Sequence, residues 1–399
     1  MKNFKWEVVK KDSFSNARCG NINTPHGTIQ TPAFIFCATK ASLKSLSAQQ
    51  AKENDTQIIL SNTYHLMLQP GDETISNQGG LHNFMNWKGP ILTDSGGFQL
   101  FSLGYGSVAD EIKGKRNLSN RKKSLIKVTE EGAIFKSYLD GSKHLLSPEK
   151  SIKIQRNLGA DLILVFDECT PYNITKSETA ASMERSHRWS ARSIEEFYTS
   201  NYYPSMKGVS GNQKLYGIIQ GGIYEDLRNE SIDFNLKNDF FGLAIGGSLG
   251  ATKKEMYNVV KYTTNNLGEK FPIHLLGIGD PIDIWTLVKF GIDTFDCVMP
   301  TRIARHGVAL TRENSKGKIN LKNAKYKNDK NPLELGCKCN TCTNYYRSYI
   351  HHLFKSGEIL GLQLISLHNI YFMNFMMQTI RDSIKNDNFE NAKNDWFSA

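Results

Sequence analysis

The residue types near the C-terminus that could bind a metal are three cysteines and one histidine: Cys337, Cys339, Cys342 and His368. A Cys-x-Cys-x-x-Cys run followed by a histidine on a predicted helix can close a tetrahedral sulfur and nitrogen site around zinc. Because all four positions would be filled by protein, the pattern predicts one structural Zn²⁺ per chain rather than a catalytic ion. The alternative interpretation is three unrelated buried thiols and a core histidine.

Three aspartates, Asp94, Asp167 and Asp296, stand at or just beyond the ends of short apolar runs. A single Asp in this place is often only a helix N-cap. Three of them, together with Gln220 and several glycines, instead indicate a site. A pair of carboxylates can break a glycosidic bond, one as nucleophile and the other as acid/base. Apolar neighbours on both sides of Asp296 predict a poorly hydrated, reactive carboxylate.

The elements that position these residues are eight β-rich runs separated by helical patterns. Apolar residues recur at three- and four-residue spacing between the runs, as in amphipathic helices. Strands that alternate with helices predict the α/β class, and eight such units predict a closed (β/α)8 TIM barrel whose strand ends share one mouth. The predicted strands are Phe34–Cys37, Gln57–Leu60, Pro90–Leu92, Leu162–Phe166, Leu215–Ile219, Phe241–Ile245, Ile273–Leu276 and Thr294–Phe295.

The chain of 399 residues is long enough for one such barrel and a smaller unit. We predict the barrel over residues 1–310, with a basic loop insertion near 105–128. Residues 311–399 are predicted to form a zinc-binding subdomain and closing C-terminal helices. The segment Tyr105–Val128 lacks apolar periodicity and is predicted to be a surface loop.

The charge balance is +10, from 49 Lys and Arg against 39 Asp and Glu. Such a balance favours a polyanionic partner only weakly. The positions are more informative, because one basic group lies within 113–127 and a second precedes the cysteines. The lysines of the second group, for which we favour phosphate contact, are Lys316, Lys318, Lys322, Lys325, Lys327 and Lys330. Scattered cysteines and the lack of a signal-like or membrane-spanning apolar run predict a cytoplasmic protein with no membrane contact.

Five motifs in order resemble one known family. They are T-D-S-G-G-F-Q (93–99), F-D-E-C-T-P (166–171), G-I-I-Q-G-G (217–222), G-L-A-I-G-G (242–247) and F-D-C-V-M-P-T-R (295–302). Together with the three cysteines and the histidine, they resemble tRNA-guanine transglycosylase, also called queuine tRNA-ribosyltransferase, of the bacterial type. The resemblance spans roughly residues 5 to 385, whereas a single motif would be weak.

The resemblance implies a base exchange in tRNA. Asp296 would displace guanine at wobble position 34 and form a covalent ribosyl-enzyme, and Asp94 would act as general acid/base for a 7-deazaguanine, preQ1 or queuine. The other residues implied to bind the base are Ser95, Gly96, Gly97, Phe98, Asp167, Gln220 and Gly247. The four metal-ligand residues match the zinc site of the family.

The resemblance also implies partners. These are a tRNA with a G-U-N anticodon and a second copy of the chain in a homodimer. The residues implied to contact RNA are Gly277, Ile278, Gly279, Asp280, Pro281, Ile282 and Asp283 in one segment, and Thr301, Arg302, Ile303, Ala304 and Arg305 in the other. Within or beside the second segment, Ile303 and His306 replace asparagines that are common in the family, which predicts loss of a polar contact.

The loop Ser248–Thr252 departs from the family pattern, since it is one residue shorter and lacks a glutamate that helps to hold the aminomethyl group of preQ1. We therefore hypothesise that queuine is accepted, in preference to preQ1. The alternative is a loop rearrangement in which another carboxylate compensates.

Two other functions remain open from the sequence. A non-catalytic tRNA-binding subunit of a transglycosylase complex would not need both Asp94 and Asp296 in intact motifs. A barrel glycosidase that acts on sugars fits the carboxylates, but not the cysteine run or the basic segments.

Overall fold

The computed structural model describes residues 4–100, 125–199 and 213–398. Short β-branched and aromatic runs form the strands, as expected for side chains that pack on a pleated surface. In chain order they are β1 (Lys5–Lys11), β2 (Arg18–Thr24), β3 (Gly27–Thr31), β4 (Ala33–Cys37), β5 (Ile59–Ser61), β6 (Ile91–Thr93), β7 (Leu125–Val128), β8 (Ala133–Lys136), β9 (Lys143–Leu146), β10 (Leu162–Leu164), β11 (Lys214–Ile219), β12 (Gly242–Ile245), β13 (Ile273–Leu275), β14 (Thr294–Cys297), β15 (Val308–Leu310) and β16 (Lys318–Asn320).

Eight of these strands close a parallel barrel in the order β4-β5-β6-β10-β11-β12-β13-β14, and β14 pairs with β4. The predicted (β/α)8 barrel is therefore confirmed, and each of the eight predicted strands is present with ends shifted by up to two residues. The largest change for function is at β14, which extends past Phe295 and so contains Asp296. The carboxyl ends of all eight strands meet at one mouth.

Helices between the strands cover the barrel. Several helices begin at an N-cap residue whose side chain accepts a hydrogen bond from the backbone. One is Ser147, whose hydroxyl accepts from the Lys150 N–H at 3.2 Å. The helices in the described residues are α1 (Ala48–Glu53), α2 (Thr63–Leu68), α3 (Asp72–Asn77), α4 (Gly80–Phe84), α5 (Pro148–Leu158), α6 (Lys176–Thr199), α7 (Glu225–Leu236), α8 (Lys253–Leu267), α9 (Pro281–Val288), α10 (Met299–Ala304), α11 (Asn340–Asn344), α12 (Arg347–Ser356), α13 (Ile359–Lys385) and α14 (Phe389–Ser398).

Three antiparallel sheets lie outside the barrel, and the sequence reasoning missed all of them; the smallest is the pair β15-β16. The sheet β1-β2-β3 covers the amino-terminal end of the barrel, where Ile22 and Ile29 line a small cavity together with inward residues of the barrel strands. The sheet β7-β8-β9 follows the basic insertion. The prediction of a loop over all of Tyr105–Val128 is wrong at its end, because Leu125–Val128 pairs with β8. The part of that segment before residue 125 lies outside the described residues.

The chain beyond the barrel strands forms a second, smaller hydrophobic cluster around Leu321, Leu333 and Ile350. This cluster also contains Ala304 and Ala309, which precede the predicted domain boundary near residue 310. That boundary stays a prediction. The helix α13 joins the two parts, since it packs against β4 as well as against α12. α13 is long and apolar enough to cross a membrane, but 61% of its most apolar window is buried in the protein, as in a core helix.

Candidate active site and metal centre

Asp94 follows β6 directly and enters the barrel mouth. Its Oδ1 accepts from the backbone N–H groups of Thr63 at 3.0 Å and of Gly96 at 3.1 Å, and its Oδ2 accepts from the Asn62 side chain. Gly96 has a φ of +85°, and this turn allows its N–H to face back toward the carboxylate. The pKa of Asp94 is raised to about 7, mainly by burial. The Thr63 N–H lowers the pKa, and the nearby charge of Asp296 contributes to the rise.

Asp167 and Gln220 form a buried pair in the same mouth, three residues after β10 and directly after β11. The Gln220 Nε2 donates to Asp167 Oδ2 at 2.7 Å, and the Ser95 hydroxyl donates to Oδ1 at 3.3 Å. Burial raises the pKa of Asp167 to about 6, although both hydrogen bonds oppose this change. The pair presents a carboxylate and an amide to any flat polar ligand that enters the mouth.

Two glycines allow the backbone to approach this pair closely. A Cβ on Gly97 would lie 2.6 Å from the Asp167 carbonyl oxygen, and a Cβ on Gly247 would lie 2.5 Å from Gln220 Oε1. Gly97 has no room for a side chain, whereas at Gly247 a side chain would displace the Gln220 amide and strain a backbone with φ of +69°. Phe98, next to Gly97, is 44% exposed and so offers an aromatic face for stacking. The sequence-predicted base-binding residues 95–98, Asp167, Gln220 and Gly247 thus lie together.

Asp296 lies on β14 with its carboxylate in the mouth and its side chain only 13% exposed. Its Oδ1 accepts from the Gly277 N–H at 3.1 Å and lies 3.2 Å from His274 Nε2. Its Oδ2 faces the Cys37 thiol at 3.7 Å. Burial raises the pKa of Cys37 well above its usual range, and the charges of Asp296 and Asp94 both add to this change.

Sequence reasoning missed Cys37 and His274 at this site. His274 lies inside an apolar run, and its only sequence signal is a polar side chain at an inward position of a buried strand. Its partner across the β13–β14 pairing is Thr294, so Asp296, two residues further along β14, points to the same face. Cys37 ends β4, the strand on the other side of β14.

The two segments that the resemblance assigned to RNA contain both exposed and buried residues. Gly277 contacts Asp296, whereas Asp283 is buried and accepts hydrogen bonds from Lys253 and Tyr257. In the second segment Thr301 and Ala304 are buried in α10, and Arg302 is exposed. The buried residues among the twelve do not present their side chains at the surface, so RNA contact by all twelve stays a prediction.

The loop Ser248–Thr252 is fixed by groups of its own chain. Glu255 Oε2 accepts from the N–H groups of Ala251 at 2.9 Å and Thr252 at 3.0 Å, in a capping box that begins α8. On its other side, the Ser248 carbonyl accepts from the buried Arg228 at 3.1 Å. The carboxylate nearest to this loop in sequence is therefore committed to capping a helix.

The four predicted metal-ligand residues come together. His368 Nδ1 lies 3.7, 3.5 and 3.3 Å from the sulfurs of Cys337, Cys339 and Cys342. Zinc bound tetrahedrally at ordinary bond lengths would separate such atoms by about 3.6 Å. His368 Nε2 donates to the Leu310 carbonyl at 2.7 Å, which leaves Nδ1 unprotonated and directed at the sulfurs. The cluster can therefore hold a metal ion.

Comparison with known proteins decides the relationship. The sequence model of the family described as "Queuine tRNA-ribosyltransferase" matches residues 12–399. The chain belongs to this family. Proteins named queuine tRNA-ribosyltransferase share high identity with it over nearly their whole length. That of Roseiflexus sp. is 48% identical over 394 residues, covering 98% of each chain. That of Protochlamydia amoebophila is 44% identical over 384 residues, covering 96% of each chain. That of Fusobacterium nucleatum is 44% identical over 391 residues, covering 97% of this chain and 96% of the relative.

Membership in the queuine tRNA-ribosyltransferase family confirms the resemblance stated from the five motifs. Members are tRNA-modifying pentosyltransferases, enzymes that act on tRNA with a small base as the second substrate. The family match covers both the barrel and the cysteine cluster.

Proposed function

We propose that this protein replaces guanine at wobble position 34 of tRNA with a 7-deazaguanine by two successive displacements at the ribose. The observation that carries the proposal is the pair Asp94 and Asp296, two carboxylates at the ends of barrel strands in one mouth that also holds the hydrogen-bonded pair Asp167 and Gln220. A non-catalytic tRNA-binding subunit would have no use for two carboxylates in this arrangement, and the family match favours the enzyme.

The first displacement begins with a carboxylate oxygen of Asp296 at C1′ of the nucleotide. The new O–C1′ bond forms as the C1′–N9 bond breaks, and its electron pair leaves with guanine, which takes up a proton. In the second displacement the incoming base loses its N9 proton, attacks C1′ and releases the carboxylate. Two inversions give net retention, so the RNA backbone stays intact without an energy source.

Asp94 suits the proton transfers. A pKa of about 7 leaves this carboxyl shared between its acid and base forms near neutral pH, where such a group is most effective. The same side chain can then protonate the departing base and deprotonate the incoming one.

Asp167 and Gln220 suit recognition of the base edge. The carboxylate can accept from ring and amino N–H groups, and the Gln220 amide can both donate and accept. The nucleotide must leave the stacked anticodon loop to reach this depth, as in other enzymes that act on an extruded base. Phe98 offers a stacking face at the rim.

The partner is proposed to be a tRNA with a G-U-N anticodon, bound by a homodimer in the cytoplasm, where tRNA is modified. Arg302 on α10 and six exposed lysines give the surface beyond the mouth a positive charge that suits phosphate contact. The lysines are Lys316, Lys318, Lys322, Lys325, Lys327 and Lys330.

The ion in the cysteine cluster is proposed to be Zn²⁺ in a structural role. Three thiolates and one imidazole at tetrahedral spacing are the ligand set that zinc prefers, and they leave no position for a substrate. Elemental analysis of the purified protein should find one zinc per chain. Another metal, or none, would contradict the proposal.

The test of the main proposal is trapping of the RNA adduct. The wild-type chain should exchange radiolabelled guanine into unmodified tRNA without a second protein, and its adduct should survive denaturing electrophoresis. Asp296→Asn should abolish both, because an amide oxygen is a poor nucleophile. The control Asp233→Asn makes the same charge change on the exposed surface of α7 and should retain both. Adduct formation by Asp296→Asn, or no exchange by the wild-type chain alone, would overturn the proposal.

The preferred base is proposed to be queuine rather than preQ1. The loop Ser248–Thr252 contains no acidic side chain, and Glu255 is occupied in capping α8, which weighs against a compensating carboxylate. The small primary ammonium of preQ1 therefore has no counter-charge in this loop. Queuine is also cationic, but it can gain contacts through its bulkier substituent, for which the shorter loop leaves room. Competition between the two bases for one tRNA measures the preference, and faster use of preQ1 would contradict it. Ala251→Glu should shift the ratio toward preQ1.

A further inference from the structure

The two oxygens of Asp296 have unequal partners. Oδ1 accepts from the Gly277 N–H at 3.1 Å and faces His274 Nε2 at 3.2 Å. Oδ2 faces only the Cys37 thiol among its described contacts, at 3.7 Å. A thiol is a weak donor, whereas amide and imidazole N–H groups are strong ones. More of the negative charge therefore remains available on Oδ2.

The ring of His274, on the neighbouring strand β13, faces the Asp296 carboxylate. The ring is buried at the pairing of β13 with β14, and its Nδ1 lies 2.9 Å from the Thr294 hydroxyl. If the hydroxyl donates its proton to Nδ1, the neutral ring carries its hydrogen on Nε2. Nε2 is buried and forms no hydrogen bond of standard geometry within the described residues, but it lies 3.2 Å from Asp296 Oδ1, so a small rotation of the ring would direct its hydrogen at this carboxylate.

We propose that His274 is a positioning residue for Asp296, which holds Oδ1 so that Oδ2 is the oxygen that attacks C1′. The proposal rests on the proposed function, because it assigns the two oxygens of that nucleophile. A carboxylate fixed on one oxygen loses less rotational freedom when it attacks through the other. Thr294 acts one step further away, by selecting the tautomer of His274. His274 touches neither base nor ribose in this arrangement.

Four substitutions at His274 and Thr294 separate orientation from packing. His274→Gln can place an amide nitrogen near the position of Nε2, whereas the shorter His274→Asn can place one only near Nδ1. His274→Leu removes the donor. Thr294→Val keeps the volume of the side chain but removes the hydroxyl, and Thr294→Ser is its matched control.

The measurement is the rate constant of covalent adduct formation in a single turnover at saturating tRNA, together with the KM for tRNA. His274→Leu and His274→Asn should slow adduct formation about 10- to 100-fold, the range for loss of a hydrogen bond to a charged group. Their KM for tRNA should change less than about twofold, because the RNA surface is untouched. His274→Gln should recover most of the rate. Thr294→Val should slow the step by a smaller factor, and Thr294→Ser should not.

Thermal unfolding establishes which variants are folded before rates are compared. Equal rates for wild type, His274→Leu and Thr294→Val would overturn the proposal, as would equal slowing by His274→Gln and His274→Asn, which would indicate packing alone. If the His274 variants do not fold, the contrast between Thr294→Val and Thr294→Ser decides. Asp296→Asn keeps the two proposals apart, since an adduct in that variant would refute the nucleophile itself.

Discussion

Two buried aspartates at opposite ends of the barrel have opposite electrostatic environments. Asp161 immediately precedes β10, at the amino-terminal end, and Asp94 immediately follows the neighbouring strand β6, at the mouth. Burial raises the pKa of both. In Asp161 the hydrogen bonds and charges of two histidines outweigh burial and lower the pKa to about 2, whereas in Asp94 burial wins and gives about 7.

The contacts explain the difference. Asp161 Oδ1 lies 2.7 Å from His26 Nδ1, Oδ2 lies 3.3 Å from His82 Nε2, and the two rings stack. The Ile91 N–H also donates to Oδ2 at 2.9 Å. Within the described residues, the hydrogen-bond donors to Asp94 are uncharged, and the nearby charge is the like charge of Asp296. One end of the barrel therefore uses a carboxylate for stability, and the other keeps one ready to exchange a proton.

The largest effect should follow Asp94→Asn. Removing the group that moves the proton should lower the rate of base exchange by about 10²- to 10⁴-fold, without loss of thermal stability. Steady-state exchange of radiolabelled guanine and thermal unfolding measure the two quantities. Asp233→Asn is the matched control. A variant with wild-type exchange would show that the high pKa of Asp94 has no catalytic use.

Asp161→Asn should do the reverse. The free energy of unfolding should fall by about 2–4 kcal/mol, because the imidazoles lose a buried anionic partner. The turnover number of the folded fraction should stay within a few-fold of wild type, because the site lies at the far end of the barrel. Denaturant unfolding and exchange assays on the same sample test this. A stable but inactive variant would contradict the assignment of Asp161 to stability rather than catalysis.

The pH dependence of stability should show the smallest effect, with opposite signs for the two groups. The pKa of Asp161 is lowered, so its contribution is full above about pH 4 and is lost as pH falls toward 2, by about 2 kcal/mol. The pKa of Asp94 is raised, so its contribution is full below about pH 4 and is lost as pH rises through 7. In a plot of the free energy of unfolding against pH, each Asn variant should lack the change that wild type shows in that pH range. Parallel curves would contradict the sign of these shifts.

The barrel could be predicted from the sequence because each strand is a short, mostly apolar run and helical patterns separate the runs. The sheets β1-β2-β3 and β7-β8-β9 could not, since strands such as Lys5–Lys11 carry many polar side chains and are half covered. Their pairing depends on tertiary contacts, which outweigh local propensity.

The candidate site was predicted in part. Motif residues after the strands, such as Asp94 and Gln220, were found because a polar group at a strand end is conspicuous. His274 was missed because its role depends on register, which brings it beside Asp296 across two strands. The assigned roles of these residues, including the RNA contacts, stay predictions that the experiments above address.

The helix α13 has a consequence for how the two parts of the chain are held together. It carries His368, and further along it Arg381 donates to the Pro32 carbonyl just before β4. The three thiols stand 26 to 31 residues before their fourth partner in the chain. A metal ion bound by the four residues would therefore join the cysteine run to α13, which also packs against the barrel strand β4. Metal binding would then couple the packing of the smaller hydrophobic cluster to that of the barrel wall.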